Sequence, residues 1–183
     1  MSTIDKDKGY SCDDYHQLIA QRIKEHSEKL GGRLIDYIEI GTFTGNSAEA
    51  VLSTCKIRRA VLIDNFSLAW QGHTQSKEMV EARLAKYEGL FEVIKGDGRQ
   101  IVPNLEETFD IGFVDGDHEE DSCRIDMTNM LPLLRENGVM FIHDVGSKPF
   151  TYLLPVVAAF VRDNNLNMKL YDMADGLAEL TRY

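Results

Sequence analysis

The sequence predicts an α/β protein built on a doubly wound, largely parallel sheet. Segments with the apolar period of a strand alternate with segments of helical period along most of the chain. Several predicted strands are continuous apolar runs, such as residues 60–63, which is typical of parallel strands covered on both faces. Strands that alternate with helices form such a sheet because each crossover helix packs back onto it.

The first half of the chain begins with a predicted helix whose inward face carries positions 19, 23, 26 and 30. Gly31 and Gly32 end it, as glycines commonly end helices. A strand at residues 35–40 leads through a turn into a helical stripe at positions 48, 51, 52 and 55. A strand at 60–63, a helix face at 80, 84 and 87, and a strand at 91–94 follow.

The second half continues with a short helix over residues 101–109, which Pro103 interrupts early, and a strand at 111–114. The clearest helical stripe occupies positions 123, 127, 130, 131 and 134, before a strand at 139–142. A helix with Pro155 in its first turn precedes strands at 168–171 and 177–180. No linker separates these segments, so we expect one domain over residues 1–183, with an N-terminal helical segment at 1–33 and a core at 34–183.

Composition limits the classes of partner. The net charge of -10 argues against a nucleic-acid-binding protein, since such proteins need clustered Lys and Arg. The three cysteines form no CxxC pair, which gives no indication of a disulfide framework or a thiolate zinc site. No apolar run approaches the ~20 residues of a membrane span. We therefore expect a cytoplasmic protein without nucleic-acid or membrane partners.

Acids and glycines follow the predicted strands repeatedly. Ligands of doubly wound sheets bind beyond the carboxyl ends of the strands, so these residues are candidates for a site. Each residue taken alone could also be a turn or helix cap, because Asp, Asn and Gly favour such positions locally. The candidates are Glu39 and Gly41, Asp64 and Asn65, residues 96–98, residues 115–118, and His143 and Asp144.

The turn in "EIGTFTGNSA" indicates the class of ligand. Gly41 allows a tight reversal and Gly45 allows close approach at a helix start, whose free amides favour hydrogen-bond acceptors. The dinucleotide fingerprint GxGxxG needs a middle glycine near the phosphates, and Phe43 lies between the two glycines here. Asp64, at the end of the second strand, is placed to hold ribose hydroxyls. Together these features favour a nucleoside ligand without a pyrophosphate.

Three stretches carry a resemblance to a known family. "EIGTFTGNSA", "VLIDNFS" and "FDIGFVDGDHEEDSCRIDMTNMLPLLRENGVMFIHDV" resemble, in order, motifs of class I S-adenosylmethionine-dependent methyltransferases. The form is similar to the small O-methyltransferases of the catechol and caffeoyl-CoA group and of those acting on sugars and antibiotics. The resemblance runs from about residue 9 to the end. It implies a Rossmann-like sheet of seven strands, mostly parallel with a C-terminal antiparallel strand, and methylation of a hydroxyl on a small acceptor.

The resemblance also implies roles for the residues that match its motifs. Glu39 and the 41–45 turn would bind the methionine portion of S-adenosylmethionine, Asp64 the ribose, and Asp97 and Gly98 the adenine. The full implied cofactor set is Glu39, Gly41, Thr42, Phe43, Gly45, Asp64, Asn65, Asp97, Gly98 and Asp115.

A divalent cation, Mg or Mn, is implied in the metal-dependent branch of the family. Its ligands would be Asp115, His143 and Asp144. The family usually has an acid where this chain has His143, and an imidazole suits manganese, iron or zinc better than magnesium, which prefers oxygen ligands. Metal dependence is therefore left open at this point.

The resemblance places the catalytic groups at Asp115, Asp117 and His118. A histidine can accept a proton near neutral pH, and a cation at Asp115 would offer a second route by lowering the pKa of a bound hydroxyl. The simpler interpretation is that Asp117 and His118 cap the helix that follows them.

The sequence leaves open two other functions and the oligomeric state. A nicotinamide-dependent (NAD(P)) oxidoreductase could use the same fold class, although the missing phosphate glycine and the lack of a Tyr and Lys pair argue against it. A noncatalytic nucleoside-binding protein would explain the departure at His143. Few residues precede the first motif, so a homo-oligomer could supply part of the acceptor site.

Overall fold

The computed structural model describes residues 14–67, 69–70, 73–173 and 175–182, and these form a sheet between two layers of helices. Its helices are α1 Asp14–Lys29, α2 Asn46–Leu52, α3 Lys77–Leu84, α4 Gly98–Ile101, α5 Glu120–Met130 and α6 Leu153–Asp163. Its strands are β1 Ile35–Ile40, β2 Ile57–Asp64, β3 Ala69–Trp70, β4 His73–Thr74, β5 Phe91–Lys95, β6 Phe109–Val114, β7 Leu134–His143, β8 Leu166–Tyr171 and β9 Leu177–Arg182.

The main sheet has seven strands in the order β5-β2-β1-β6-β7-β9-β8. Strands β5, β2, β1, β6 and β7 pair in parallel, and β9 runs antiparallel to both β7 and β8. The predicted fold class is confirmed. The strand order reverses direction between β1 and β6, so the ligand crevice of such a sheet is expected beyond the carboxyl ends of these two strands.

The core is divided into two layers by the sheet, as the period of two along a strand requires. In β1, Tyr37 packs with the side chains of α1, α2 and α3, while Ile38 packs with those of α5 and α6. Both residues are fully buried, and all six positions of β1 and of β6 are buried. Helices cover both faces of the sheet, which explains the continuous apolar runs in the sequence.

Two predicted helices are longer than the structure allows. The helix predicted over 101–109 is wrong: α4 ends at Ile101, a 3-10 turn covers Val102–Asn104, and Phe109 opens β6. The stripe through position 134 also ends early, because α5 stops at Met130 and Leu134 begins β7. A proline follows each helix end and cannot donate a backbone hydrogen bond, which stops the α-helix there.

Position 55 was also predicted in a helix and lies outside it. Helix α2 ends at Leu52, and Cys55 is exposed with a left-handed φ of 56°. The short hairpin of β3 and β4 was not predicted, because strands of two residues carry too few positions to show a period. These differences leave the seven predicted strands of the main sheet in place.

Two buried carboxylates lie at the amino ends of β1 and β6. Asp36 and Asp110 are 3% and 1% exposed, and the backbone N–H of Asp36 donates to Asp110 at 2.9 Å. Arg135 contacts both carboxylates at 2.7 Å, Arg33 contacts Asp110 at 2.5 Å, and Arg58 Nε donates to Asp36 at 2.9 Å. We call these five residues the amino-end cluster. Its three guanidinium groups hold the starts of the two central strands together.

None of the helices that the structure describes is both long and apolar enough to cross a membrane.

Candidate active site

The turn after β1 packs directly on the end of β6. Gly41 has a φ of 92°, and a Cβ placed on it would lie 1.9 Å from the carbonyl oxygen of Asp115. Only a residue without a side chain fits there. Gly45, with a φ of 80°, begins α2 without a side-chain cap, so free amide groups are left at this helix start.

The carboxylate of Asp64 holds the same turn from the neighbouring strand. One oxygen accepts a hydrogen bond from the backbone N–H of Phe43 at 2.7 Å, and the other accepts from Phe66 at 2.6 Å. Phe43 and Phe66 both have left-handed φ angles, which these hydrogen bonds help to hold. Asn65, predicted beside Asp64, accepts from the backbone N–H of Ser67 at 2.8 Å and closes a local turn.

Glu39 lies beneath the turn and is fully buried. Its two oxygens accept hydrogen bonds from Tyr37 Oη at 2.6 Å and Ser47 Oγ at 2.8 Å. Burial raises the pKa of Glu39 to about 7, although both hydrogen bonds act to lower it. The side chain thus ties β1 to the start of α2, with Thr42 buried beside it. Its predicted contact with the methionine portion of the cofactor stays a prediction.

The loop after β5 brings Asp97 and Gly98 to the same edge of the sheet. Asp97 caps α4 by accepting from the backbone N–H of Arg99 at 3.0 Å, and the Arg99 side chain pairs with its carboxylate at 2.9 Å. This hydrogen bonding lowers the pKa of Asp97. Gly98 lies against β1, since a Cβ there would come within 2.8 Å of Ile40 Cγ2.

The Asp117 side chain bonds to residues at the start of α5 and not to Asp115. Its carboxylate accepts from the backbone N–H of Glu119 at 3.2 Å and from Ser122 Oγ at 2.9 Å. Arg99 donates to the same Ser122 oxygen at 2.8 Å, which links the loops after β5 and β6. The N-cap of α5 is Glu119, without a side-chain cap, so Asp117 braces the loop before the helix, and its catalytic role stays a prediction.

Four titratable side chains meet where β6 and β7 end. His143 Nδ1 lies 3.1 Å from Asp115 Oδ1 and 3.2 Å from Asp144 Oδ2. His118 Nε2 lies 2.5 Å from Asp144 Oδ2 and 3.8 Å from Asp115 Oδ1. Both are ion-pair contacts, and neither has the angles of a hydrogen bond. Asp144 has a left-handed φ of 60°. We call Asp115, His118, His143 and Asp144 the carboxyl-end cluster.

Aromatic rings flank this cluster on two sides. Phe150, from the loop before α6, stacks on His118 with centroids 4.5 Å apart and planes 7° apart. Tyr152 meets the edge of Phe150 at 6.3 Å. On the other side, Tyr15 of α1 packs on His143 at 4.0 Å. Tyr15, Phe150 and Tyr152 are not among the predicted site residues, because only the fold brings the loop before α6 and the start of α1 together here.

The two acids and two histidines shift one another's pKa values strongly. Burial acts to lower the pKa of both histidines, but the contacts with Asp115 and Asp144 outweigh it and raise the pKa of His118 to about 9 and that of His143 to about 10. Burial acts in the opposite sense on the two carboxylates, and their pKa values still fall below the usual range because of the histidines. In the absence of a cation, two imidazolium groups thus balance two carboxylates.

The cluster could hold a cation through a ligand set that differs in one member from the prediction. Ligand atoms of Asp115, His118 and Asp144 all lie within 4.8 Å of one another. His143, predicted as a ligand, contacts both carboxylates through Nδ1, and its Nε2 is buried with no hydrogen-bond partner among the described residues. The proximity of His118 to Asp144 was the feature that sequence spacing could not show.

The comparison with known families decides what kind of enzyme this is. Residues 38–145, more than half of the chain, match the methyltransferase domain family. The chain belongs to this family. The expected class, a class I S-adenosylmethionine-dependent methyltransferase, is confirmed, and with it the enzyme class and the cofactor. The nicotinamide-dependent oxidoreductase that the fold class alone left open is set aside.

Solved methyltransferase structures share the fold of this chain. A Staphylococcus aureus protein, provisionally assigned as a caffeoyl-CoA O-methyltransferase, has a TM-score of 0.73 and 16% identity, over 100% of this chain and 86% of that one. The S-adenosylhomocysteine-bound methyltransferase PaMTH1 of Podospora anserina has a TM-score of 0.68 and 16% identity, over 97% and 91%. The O-methyltransferase TomG of Streptomyces achromogenes has a TM-score of 0.67 and 20% identity, over 97% and 82%. No curated protein matches the sequence significantly.

Proposed function

We propose that this methyltransferase transfers the methyl group of S-adenosylmethionine to a hydroxyl of a small acceptor at the carboxyl-end cluster, with a divalent cation held there. The observation that carries the proposal is the convergence of ligand atoms from Asp115, His118 and Asp144 within 4.8 Å. The Gly41 turn, which belongs to the proposed cofactor site, packs on the backbone of Asp115. Cofactor and cluster would therefore be immediate neighbours.

The crevice residues fit the nucleoside part of the cofactor. Each oxygen of Asp64 already accepts one backbone hydrogen bond, and a carboxylate has about four acceptor positions, so it can still accept from ribose hydroxyls. Gly41 and Gly45 both have left-handed φ angles, which favour glycine, and the turn between them leaves free amide groups at the start of α2. Asp97 and Gly98 at the end of β5 would lie beside the adenine, with Arg99 already bound to Asp97.

The carboxyl-end cluster also fits a divalent cation. Two carboxylates and one imidazole suit manganese, iron or zinc better than magnesium, whose preferred ligands are all oxygens. A bound cation would lower the pKa of an acceptor hydroxyl beside it. A cation that binds His118 displaces the proton of that imidazole, so the cluster gains one net positive charge and not two.

The histidines favour this route over simple base catalysis. His118 has a pKa of about 9 beside Asp144, so at neutral pH its imidazole is protonated and cannot accept the acceptor's proton unless something displaces its own. The Asp117 carboxylate already accepts hydrogen bonds from the Glu119 backbone N–H and from Ser122 Oγ. What remains for the chain is to align the acceptor oxygen with the methyl group, since the sulfonium is already an excellent donor.

The aromatic rings of Phe150 and Tyr152 favour an acceptor with a flat or cyclic structure. Phe150 and Tyr152 are half-buried and lead outward from His118, so an aromatic ring or the apolar face of a sugar could pack on them. Several structural neighbours are O-methyltransferases of small molecules, among them TomG, involved in tomaymycin synthesis, and CalS11, which acts on TDP-rhamnose. A sugar, glycan or secondary metabolite is thus the proposed acceptor. We propose that a second copy of the chain encloses this acceptor, and sedimentation would detect the homo-oligomer.

Calorimetric titration with S-adenosylhomocysteine tests the cofactor site. Wild-type protein should bind it, and Asp64→Ala should weaken binding roughly 10- to 100-fold, the cost of losing hydrogen bonds to a charged group. Glu92→Ala, on exposed β5 surface, is the matched control and should bind like wild type. Equal affinity in Asp64→Ala and wild type would contradict the site assignment. Cofactor binding without turnover on any hydroxylated acceptor, with manganese present, would instead favour the noncatalytic nucleoside-binding protein.

A further inference from the structure

His143 is held more tightly than the other histidine of the carboxyl-end cluster. It is 9% exposed and packs against Tyr15, with ring centroids 4.0 Å apart, and against Phe113 in an edge contact at 6.4 Å. The His118 ring is half-buried and stacks on Phe150. A ring enclosed by packed neighbours cannot turn without displacing them. The directions of the two His143 nitrogens are therefore fixed by packing.

The fixed ring of His143 places Nδ1 between two carboxylates. An ionised carboxylate only accepts hydrogen bonds, so Nδ1 donates to Asp115 Oδ1 at 3.1 Å, and it contacts Asp144 Oδ2 at 3.2 Å. Successive side chains of an extended strand point to opposite faces, and the left-handed φ of 60° at Asp144 breaks this alternation. Ligand oxygens of the two carboxylates lie within 4.8 Å of each other and repel. A donor that contacts both therefore holds them together.

Neither nitrogen of His143 is free to bind the cation that Asp115 and Asp144 would share. The two nitrogens of an imidazole point in different directions, so a cation on Nε2 would lie beyond the reach of carboxylates that contact Nδ1. A cation on Nδ1 would have to replace the hydrogen bond to Asp115. His118 Nε2 gives up no such bond, since it has no hydrogen-bond partner among the described residues. The geometry thus favours His118 over His143 as the ligand.

We propose that His143 is a positioning residue, whose Nδ1–H holds the carboxylates of Asp115 and Asp144 in place to bind one cation. The inference rests on the proposed function, which places that cation in the carboxyl-end cluster. Carboxylates that bind a metal are themselves held by hydrogen bonds, and the loss of such a partner costs about 10- to 100-fold in metal affinity. The two histidines then have different roles: His118 binds the cation, and His143 orients its other ligands.

Two substitutions of His143 separate its N–H donor from the bulk of its ring. His143→Phe keeps a flat ring beside Tyr15 but removes the donor, so manganese affinity should fall about 10- to 100-fold in calorimetric titration. His143→Asn keeps an N–H near the position of Nδ1, so its affinity should stay within about threefold of wild type. His26→Phe is the matched control and should bind manganese like wild type. His26 is similarly buried, at 8% exposure, and lies near Asp110 of the amino-end cluster.

Pulsed electron paramagnetic resonance of bound manganese shows how many nitrogens the metal binds directly. We expect one imidazole nitrogen in wild type and in His143→Asn, and none in His118→Gln. Two bound nitrogens in wild type, or one that remains in His118→Gln, would overturn the inference, as would equal manganese affinities in His143→Phe and His143→Asn. A wild-type protein that binds no manganese would instead contradict the cation of the proposed function. If His143→Phe does not fold, as a thermal melt would show, the nitrogen counts still decide.

Discussion

The two ends of the central strands carry two buried acid pairs with opposite kinds of partner. At the amino ends, Asp36 and Asp110 are paired with three arginines. At the carboxyl ends, Asp115 and Asp144 are paired with His118 and His143. In both places the carboxylates are buried or nearly so and the charges nearly cancel. The partners differ in one property: an arginine keeps its proton at any physiological pH, whereas a histidine can release it.

This difference separates a structural cluster from a functional one. The charge at the amino-end cluster is permanent, so removing one carboxylate leaves guanidinium groups that cannot neutralise. At the carboxyl-end cluster the histidines can give up protons, either to bulk solvent or in exchange for a cation. The same sheet thus uses fixed ion pairs to hold the starts of its strands and exchangeable ones at the edge where ligands bind.

The largest expected effect is on folding, at the amino-end cluster. Asp110→Ala should lower the free energy of unfolding by about 3 to 5 kcal/mol, because it leaves the Asp36 N–H and the Nη1 group of Arg135 without their buried carboxylate partner. Urea denaturation measures the change. Glu92→Ala, which breaks an exposed pair with Arg59, is the control and should cost less than about 1 kcal/mol. Equal losses in the two variants would remove the structural half of the comparison.

The next effect is on turnover, at the carboxyl-end cluster. Asp144→Asn should reduce kcat roughly 100-fold, or about 2.7 kcal/mol, because the proposed cation loses a charged ligand. Asparagine tolerates the left-handed φ of 60°, so the backbone should be kept. The unfolding free energy should change by only about 1 kcal/mol, since His118 and His143 can lose their protons when a carboxylate is removed.

An exposed residue with the same backbone conformation provides the control for Asp144→Asn. Asp175 also has a φ of 60° and lies in a surface turn, so Asp175→Asn should leave kcat unchanged. Wild-type turnover in Asp144→Asn would exclude this carboxylate from the reaction. A loss of stability as large as that in Asp110→Ala would show that the two clusters play the same structural role.

The contrast between the clusters also shows what sequence could and could not predict. The turn after β1, the seven strands and the acids at their ends follow from local chemistry, because periodicity, glycines and caps act within a few residues. The proximity of His118 to Asp144 depends on the parallel register of β6 and β7 and on one left-handed residue, which no local pattern encodes.

The smallest effect, and the one that most sharpens the comparison, is the pH dependence of cation binding. Because the pKa of His118 is about 9 without a cation, a cation must displace its proton at any lower pH. Manganese affinity should therefore rise at least about tenfold per pH unit between pH 6.5 and 8.5, or about 1.4 kcal/mol per unit, and level off above pH 9. Titration of the protein with manganese at several pH values measures the slope.

His118→Gln should lower the affinity and flatten the slope, because the remaining carboxylates are already ionised throughout this range. A slope of zero in wild type would mean that His118 is not a ligand, and the carboxyl-end cluster would then be a fixed ion-pair site like the one at the other end of the sheet.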